Sequence, residues 1–117
     1  LWLWDVKDTD SQRYYENTGV KLQETIDNLK FVDSHGGQTI LRCIILNGVN
    51  AETKHYANIA GIYDSLSHCQ GVELIPYHKL GNSKLQQLGF EQLQKDYTPS
   101  QQQLQQGRDV LKNRLVS

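Results

Sequence analysis

Four polar residues lie in or directly beside apolar segments of the sequence, where charged side chains are unusual. Asp5 and Lys7 close the first apolar segment, Arg42 lies within the second, and His78 directly follows the third. One carboxylate, two cations and an imidazole suit a small ligand that is zwitterionic or carries a carboxylate. Such a site requires the four side chains to meet, which depends on the elements that carry them.

Apolar segments alternate with amphipathic segments along the chain. Residues 1–7, 38–46 and 72–77 predict strands, and the second is almost wholly apolar, which is typical of parallel sheets covered on both faces. Strands that alternate with helices predict an α/β fold with parallel strands and right-handed crossovers. Three parallel strands cannot close a barrel, so they are expected to be half of a doubly wound sheet or part of a larger barrel.

Helix start and stop signals divide the rest of the chain. A short helix is predicted to begin within Asp8–Ser11 and to end near Asn17, and a second is predicted over 21–34, before Gly36-Gly37. Asn50 is the predicted N-cap of the third helix, and a short helix is predicted near 82–88. The third helix has an apolar stripe at helical spacing (Tyr56, Ile59, Ala60, Tyr63). The last helix is predicted from a capping box with Thr98 as N-cap, followed by apolar positions on one side (Thr98, Pro99, Gln101; Leu104, Leu111, Leu115).

Side chains alternate across a strand, so sequence parity assigns the polar residues to faces. Asp5 and Lys7 share one face about 7 Å apart. Arg42 shares its face with Ile40 and Ile44. Ligands of parallel α/β folds bind at the carboxyl ends of strands, where Asp5, Lys7 and His78 are expected.

Each polar residue also has a structural interpretation. Asp5 and Lys7 could form a simple ion pair at a strand end. Arg42 could pair with Glu73 or with carbonyl groups, since an unpaired buried guanidinium is costly. His78 could be an ordinary loop histidine. Their joint placement at one edge of the sheet favours the ligand site over these alternatives.

Composition excludes several classes of function. The net charge is -1, so neither nucleic acid nor an anionic membrane is an expected partner. The two cysteines, Cys43 and Cys69, are too few for a disulfide framework and are expected to be buried, which favours a cytoplasmic protein. The remaining histidines are expected on the solvated surface: His35, His55 and His68.

The start of the chain predicts that more protein precedes it. The sequence contains no methionine, and it opens on Leu1-Trp2-Leu3-Trp4 without a polar lead-in. A free terminus of that kind would expose two indoles to water. We therefore expect residue 1 to lie inside a longer protein.

Four stretches resemble the radical S-adenosylmethionine enzymes that activate glycyl-radical enzymes, a family whose best-known member activates pyruvate formate-lyase. Asp5-Val6-Lys7 is similar to the family's D-x-K strand end, and Thr18-Gly19-Val20 to its TGV turn. Leu41-Arg42-Cys43-Ile44 resembles its arginine-bearing strand. The most specific stretch, Glu73–Lys84 (ELIPYHKLGNSK), is similar to its E-L-x-P-Y-H-x-L-G-x-x-K segment.

The resemblance implies a partial (β/α) barrel with S-adenosylmethionine across its strand ends. Asp5, Val6 and Lys7 would contact the methionyl end, with Lys7 as the partner of its carboxylate. His78 would bind the nucleoside or the amino-acid part, and Arg42 would face the same cavity. None of the residues of this chain is implied to be catalytic or to bind a metal.

The family uses S-adenosylmethionine and a [4Fe-4S] cluster to generate a glycyl radical on a partner enzyme, with an electron donor such as flavodoxin. The family's C-x3-C-x2-C cluster motif and its Gly-Gly-Glu segment are absent from this sequence. Residues 1–117 are therefore expected to be the C-terminal half of the barrel, without activity of their own. Asn47 also replaces the family's usual proline before Gly48.

Three other functions stay open from the sequence. The longer protein could catalyse a different radical S-adenosylmethionine reaction, or the chain could be a non-catalytic half-barrel interaction domain. A Schiff-base aldolase that uses Lys7 is disfavoured, because Asp5 would keep that amine protonated.

Overall fold

The computed structural model describes residues 1–77 and 97–116. His78 and the helix predicted near 82–88 lie outside the described residues. The described part contains three parallel strands in the order β1-β2-β3, which confirms the predicted α/β architecture. In chain order the elements are β1 (Trp2–Asp5), α1 (Ser11–Thr18), α2 (Leu22–Ser34), β2 (Thr39–Ile45), α3 (Thr53–Asp64), β3 (Cys69–Pro76) and α4 (Gln101–Leu111), followed by a 3-10 turn (Lys112–Arg114).

The first helix begins and ends at residues that its sequence signals predict. The Asp10 side chain accepts a hydrogen bond from the backbone N–H of Arg13 at 2.9 Å, which satisfies one of the free amides of the first turn. Gly19 ends α1 in the left-handed conformation, with a φ of 73°. These two caps keep α1 short, so the chain returns at once to α2.

Two predicted N-caps are wrong. The N-cap of α3 is Glu52, not Asn50, whose side chain is buried and bonded to the backbone at the end of β2. The N-cap of α4 is Ser100, not Thr98: the Ser100 hydroxyl accepts from the Gln103 N–H at 3.0 Å, and Gln103 Oε1 accepts from the Ser100 N–H at 2.8 Å. This reciprocal pair forms a complete capping box two residues later than predicted.

The C-terminal apolar position also differs from the prediction. Leu115 lies beyond α4 and forms a parallel bridge with Val72 of β3. The Val116 N–H donates to the Val72 carbonyl at 2.9 Å. The chain therefore returns to the sheet after α4 instead of extending the helix.

The main core lies between one face of the sheet and the helices. Leu41, Cys43 and Val72 are completely buried on that face. α3 and α4 pack closely over it because Gly107 leaves room for the Tyr56 ring, which would lie 2.8 Å from a Cβ at that position. The helical residues that complete this core are Leu29, Tyr56, Ile59, Ala60, Leu104 and Leu111.

Residues 1–77 and 97–116 cover the opposite face of the sheet only toward its carboxyl end. Ile44, Leu46 and Tyr77 form a second, smaller cluster there. Leu3, on the same face of β1, is 57% exposed, and Leu1 and Trp2 are exposed beside it. Within the described residues β1 pairs only with β2, so it is the edge strand. This sparsely covered face is the one that carries the charged residues.

Candidate functional site

Three charged residues form a row across the sparsely covered face. Asp5 pairs in register with Arg42, and Arg42 pairs in register with Glu73. Neighbouring parallel strands are about 4.8 Å apart, and residues in register point to the same side. The row therefore presents a cation between two carboxylates.

The row is not closed by ion pairs. Among residues 1–77 and 97–116, the ion pairs with N···O distances up to 4.0 Å include none of Asp5, Arg42 and Glu73. Asp5 and Glu73 are exposed, and Arg42 is half-buried. An Arg42–Glu73 ion pair, the structural alternative for this arginine, is not formed. Within the described residues, the Arg42 guanidinium is thus available to a ligand that lies on this face of the sheet.

Val6 and Lys7 lie just beyond the end of β1. The Val6 N–H donates to the Arg42 carbonyl at 2.8 Å, which extends the ladder one residue past Asp5. The Lys7 carbonyl accepts from the Asn50 side-chain amide at 3.4 Å. Lys7 is half-buried, and it forms no ion pair with Asp5 within the part of the chain that is described.

A small cavity separates the end of β1 from α1 and α2. Asp5, Val6 and Lys7 border it together with apolar side chains such as Leu29. Its volume is about 20 Å³, which is the space of a single water molecule. A nucleotide cofactor cannot enter there, so a ligand bound by Asp5, Lys7 and Arg42 would lie across the open face of the sheet.

A buried polar cluster directly follows Lys7, and the sequence analysis missed it. Asp8 is 1% exposed, and its Oδ1 accepts from the backbone N–H groups of Thr9 and Asp10 at 2.8 and 3.1 Å. Arg13 binds both carboxylate oxygens, with NH2 donating to Oδ1 at 2.7 Å and Nε donating to Oδ2. A second, weaker contact joins Arg13 to Glu52. The Asp8 carboxylate thus closes a tight turn at the carboxyl end of β1.

His55 belongs to this cluster, so its prediction as a surface residue is wrong. It is 1% exposed, and its Nδ1 lies 2.7 Å from Thr9 Oγ1 and 4.0 Å from Asp8 Oδ1. Burial lowers the pKa of His55 to about 4, and the nearby Asp8 only partly opposes this. The imidazole is therefore neutral at pH 7. The sequence did indicate that His55 is buried, because it lies four residues before Ile59 and therefore on the buried stripe of α3.

The other two histidines in the described residues lie on the surface, as predicted. His35 is exposed at the end of α2. The His68 side chain is 45% exposed, with Nδ1 2.8 Å from the Asp33 carbonyl oxygen. Neither approaches the charged row, so they do not belong to the candidate site.

The described residues fit one of the implied cofactors and not the other. Asp5, Lys7 and Arg42 supply a carboxylate, an ammonium and a guanidinium near the end of β1, groups that suit the zwitterionic methionyl part of S-adenosylmethionine. The cysteines do not fit a [4Fe-4S] cluster: Cys43 is completely buried, and burial raises the pKa of its thiol. Within the described ranges no three His, Cys, Asp or Glu residues are grouped as metal ligands. None of the helices described there is long and apolar enough to cross a bilayer.

The parallel strands with helices packed on one face define an α/β fold of the kind found in partial barrels, with a row of charged residues across its other face. No protein-family model matches the sequence. Individual curated proteins do match it. The choline trimethylamine-lyase activating enzyme of Oleidesulfovibrio alaskensis is 35% identical over 94 residues, which cover 78% of this chain and 30% of that protein.

Two further relatives are also named as activating enzymes. The 4-hydroxyphenylacetate decarboxylase activating enzyme of Clostridioides difficile is 32% identical over 74% of this chain and 28% of its own length. The pyruvate formate-lyase-activating enzyme of Clostridium pasteurianum is 30% identical over 78% of this chain and 38% of its own length. The chain thus spans about a third of the curated relatives it matches.

A solved structure agrees with these relatives. The crystal structure of a domain of pyruvate-formate lyase-activating enzyme from Bacteroides vulgatus superposes with a TM-score of 0.74 at 25% identity, over 95% of this chain and 60% of that one. The chain belongs to the family of glycyl-radical-enzyme activating enzymes.

Proposed function

We propose that the protein to which this chain belongs is a radical S-adenosylmethionine enzyme that generates a glycyl radical on a partner enzyme. Residues 1–117 would be the C-terminal half of its partial barrel. The family membership supports the reaction class, and the charged row across the sheet, which forms no ion pair within the described residues, supports a cofactor site on this chain. The row is the observation that carries the proposal.

In this proposal the methionyl group of S-adenosylmethionine lies against the end of β1. The Lys7 ammonium binds its carboxylate, Asp5 faces its cationic part, and Val6 contributes backbone groups. Arg42 is held at the same level by its register with Asp5. His78 is proposed as a further ligand, and it lies outside the described residues. When bound, the cofactor and an iron–sulfur cluster supply one-electron cleavage of a carbon–sulfur bond.

The partners follow from the same family. A glycyl-radical enzyme is the proposed protein substrate, and a donor such as flavodoxin would supply the electron. The described residues provide no cluster site, so cluster ligands must come from another part of the protein. This chain's own contribution is to bind and orient the cofactor and to shield one side of it from water.

Binding of S-adenosylmethionine to the reconstituted full-length protein tests the proposal. We expect Lys7→Ala and Arg42→Ala each to raise the dissociation constant about 10- to 100-fold, which corresponds to the loss of one charge-assisted hydrogen bond. Lys30→Ala, an exposed lysine on α2, is the matched control and should leave it unchanged. The yield of glycyl radical on the partner, measured by electron paramagnetic resonance, should decrease in the Lys7→Ala and Arg42→Ala variants and stay unchanged in Lys30→Ala. Wild-type binding by both site variants would exclude this cofactor site.

A further inference from the structure

The residue after Lys7 is fixed more firmly than Lys7 itself. Lys7 is half-buried and has no ion pair in the described residues, whereas Asp8 is 1% exposed and accepts four hydrogen bonds. A buried carboxylate is tolerated only when its charge is paired and its oxygens are hydrogen-bonded. Arg13 pairs with the Asp8 charge and donates two of these hydrogen bonds, and the backbone N–H groups of Thr9 and Asp10 donate the other two. The backbone that leaves Lys7 therefore has one well-defined course.

Asn50 fixes the same strand end from the other side. It is completely buried, its Oδ1 accepts from the Leu46 N–H at 2.8 Å, and its Nδ2 donates to the Ile44 carbonyl at 3.0 Å. The same Nδ2 reaches the Lys7 carbonyl at 3.4 Å. One amide thus ties the carboxyl end of β1 to the carboxyl end of β2. Arg42 belongs to β2, so the backbone at Lys7 is fixed relative to the backbone at Arg42.

Arg13 is directed away from the charged row. Its side chain belongs to α1 and binds Asp8 and Glu52, while the row lies on the sheet face opposite the helical core. Arg13 cannot contact a ligand on that face while it holds Asp8. Any effect of Arg13 on such a ligand must pass through the backbone between Asp8 and Lys7.

We propose that Arg13, acting through Asp8, is a positioning residue that sets the direction of the Lys7 side chain at the cofactor site. Asn50 provides the second support, at the Lys7 carbonyl. The inference rests on the proposed function, since it takes the S-adenosylmethionine carboxylate as the group that Lys7 meets. A charged side chain contributes most to binding affinity when its own backbone is already held in the bound position, because less conformational freedom is lost on binding.

The test measures the dissociation constant of S-adenosylmethionine in the reconstituted full-length protein by calorimetry. Arg13→Ala should weaken binding about fivefold to tenfold. Arg114→Ala is the matched control, because Arg114 also binds a carboxylate through Nε and NH2, that of Asp64, but at a distance from the row. It should leave the dissociation constant within twofold. Equal constants for the two arginine variants would overturn the proposal.

Two further variants separate positioning from stability. Asp8→Asn combined with Arg13→Ala removes the uncompensated buried charge, so the melting temperature should recover while binding stays weak. If binding recovers together with the melting temperature, the pair is only structural. Should Arg13→Ala fail to fold, Arg13→Lys keeps the charge but loses the two-pronged contact, and it must then show the weaker binding.

Lys7→Ala distinguishes the failure of this inference from the failure of the proposed function. In the Lys7→Ala background, Arg13→Ala should change binding less than twofold, because the side chain that it positions is gone. If Lys7→Ala alone binds as the wild type does, the proposed cofactor site is wrong. If Lys7→Ala weakens binding and Arg13→Ala does not, only the positioning role is wrong.

Discussion

Two arginine–aspartate pairs of the same chemistry lie near opposite edges of the sheet, one past the carboxyl end of β1 and one before the amino end of β3. Arg13 binds Asp8 where β1 ends, and Arg114 binds Asp64 where α3 ends, each through Nε and NH2. The side chain of Asp8 is 1% exposed, whereas that of Asp64 is 53% exposed. The first pair lies beside the candidate cofactor site, and the second lies near the start of β3.

Burial gives the two pairs different roles. The exposed carboxylate of Asp64 would be solvated without its arginine, and exposed ion pairs contribute little to stability. The buried carboxylate of Asp8 has no such alternative, so the Arg13 contact determines whether the turn after Lys7 can form. In parallel α/β folds the carboxyl end of the sheet carries function, and here the more constrained pair lies at that end.

The largest expected effect is on stability. Arg13→Ala should lower the free energy of unfolding by about 3 kcal/mol, because it leaves a buried charge unpaired. Arg114→Ala should lower it by about 0.5 kcal/mol, the value of an exposed pair. Urea unfolding followed by circular dichroism measures both. Similar losses for the two variants would mean that burial does not distinguish the pairs.

Acid should destabilise the fold through the buried His55. Burial holds the pKa of His55 at about 4, below the ordinary value of 6.5. Between these two values the unfolded chain binds a proton that the folded chain does not, so stability falls as the pH falls from about 6.5 to about 4. The full loss is about 3 kcal/mol for a change of this size. Asp8 and Arg13 are the charged groups that act on this imidazole.

Thermal unfolding at several pH values checks this prediction. His55→Gln removes the titrating group, so its melting temperature should depend less on pH between 6.5 and 4.5 than that of the wild type. His68→Gln, which changes an exposed histidine, should keep the wild-type dependence. A His55→Gln protein with an unchanged pH dependence would show that this histidine does not link acid to unfolding.

The order of the elements was predictable because apolar periodicity differs between strands and helices. β2 reads as a continuous apolar segment with only Arg42 inside it, and it lies completely within the predicted range. Parity assigned Asp5 and Arg42 to faces of their own strands, but the register that puts them in one row with Glu73 was not predictable from the sequence. Only β1 was clearly shorter than predicted, since it ends at Asp5 and not at residue 7.

Caps and buried polar residues were harder to predict, for physical reasons. Thr98 and Ser100 both can cap a helix, and only the reach of Gln103 back to the Ser100 N–H selects the second. Asp8 was predicted only as one of several possible N-caps of the first helix, because aspartate before a helical segment commonly caps it. Its burial depends on Arg13, which lies on a short polar helix and has no sequence signal of its own.

The smallest expected difference is between a buried and an exposed asparagine of the loop after β2. Asn50→Ala should lower the free energy of unfolding by about 2 kcal/mol, because it leaves the Leu46 N–H and the Ile44 carbonyl without a partner inside the protein. Asn47→Ala removes only an exposed contact with Gln103 and should cost less than about 0.5 kcal/mol. Chemical denaturation compares them directly.

The asparagine pair also sharpens the distinction between fold and site. Asn50 joins the ends of β1 and β2, so its loss should loosen Lys7 relative to Arg42, whereas the Asn47 side chain joins its loop to Gln103 of α4. If Asn50→Ala proved no more costly than Asn47→Ala, water would be replacing the amide in that space. The strand ends would then be held by the ladder alone, and the constraint on Lys7 would reduce to the Asp8 turn.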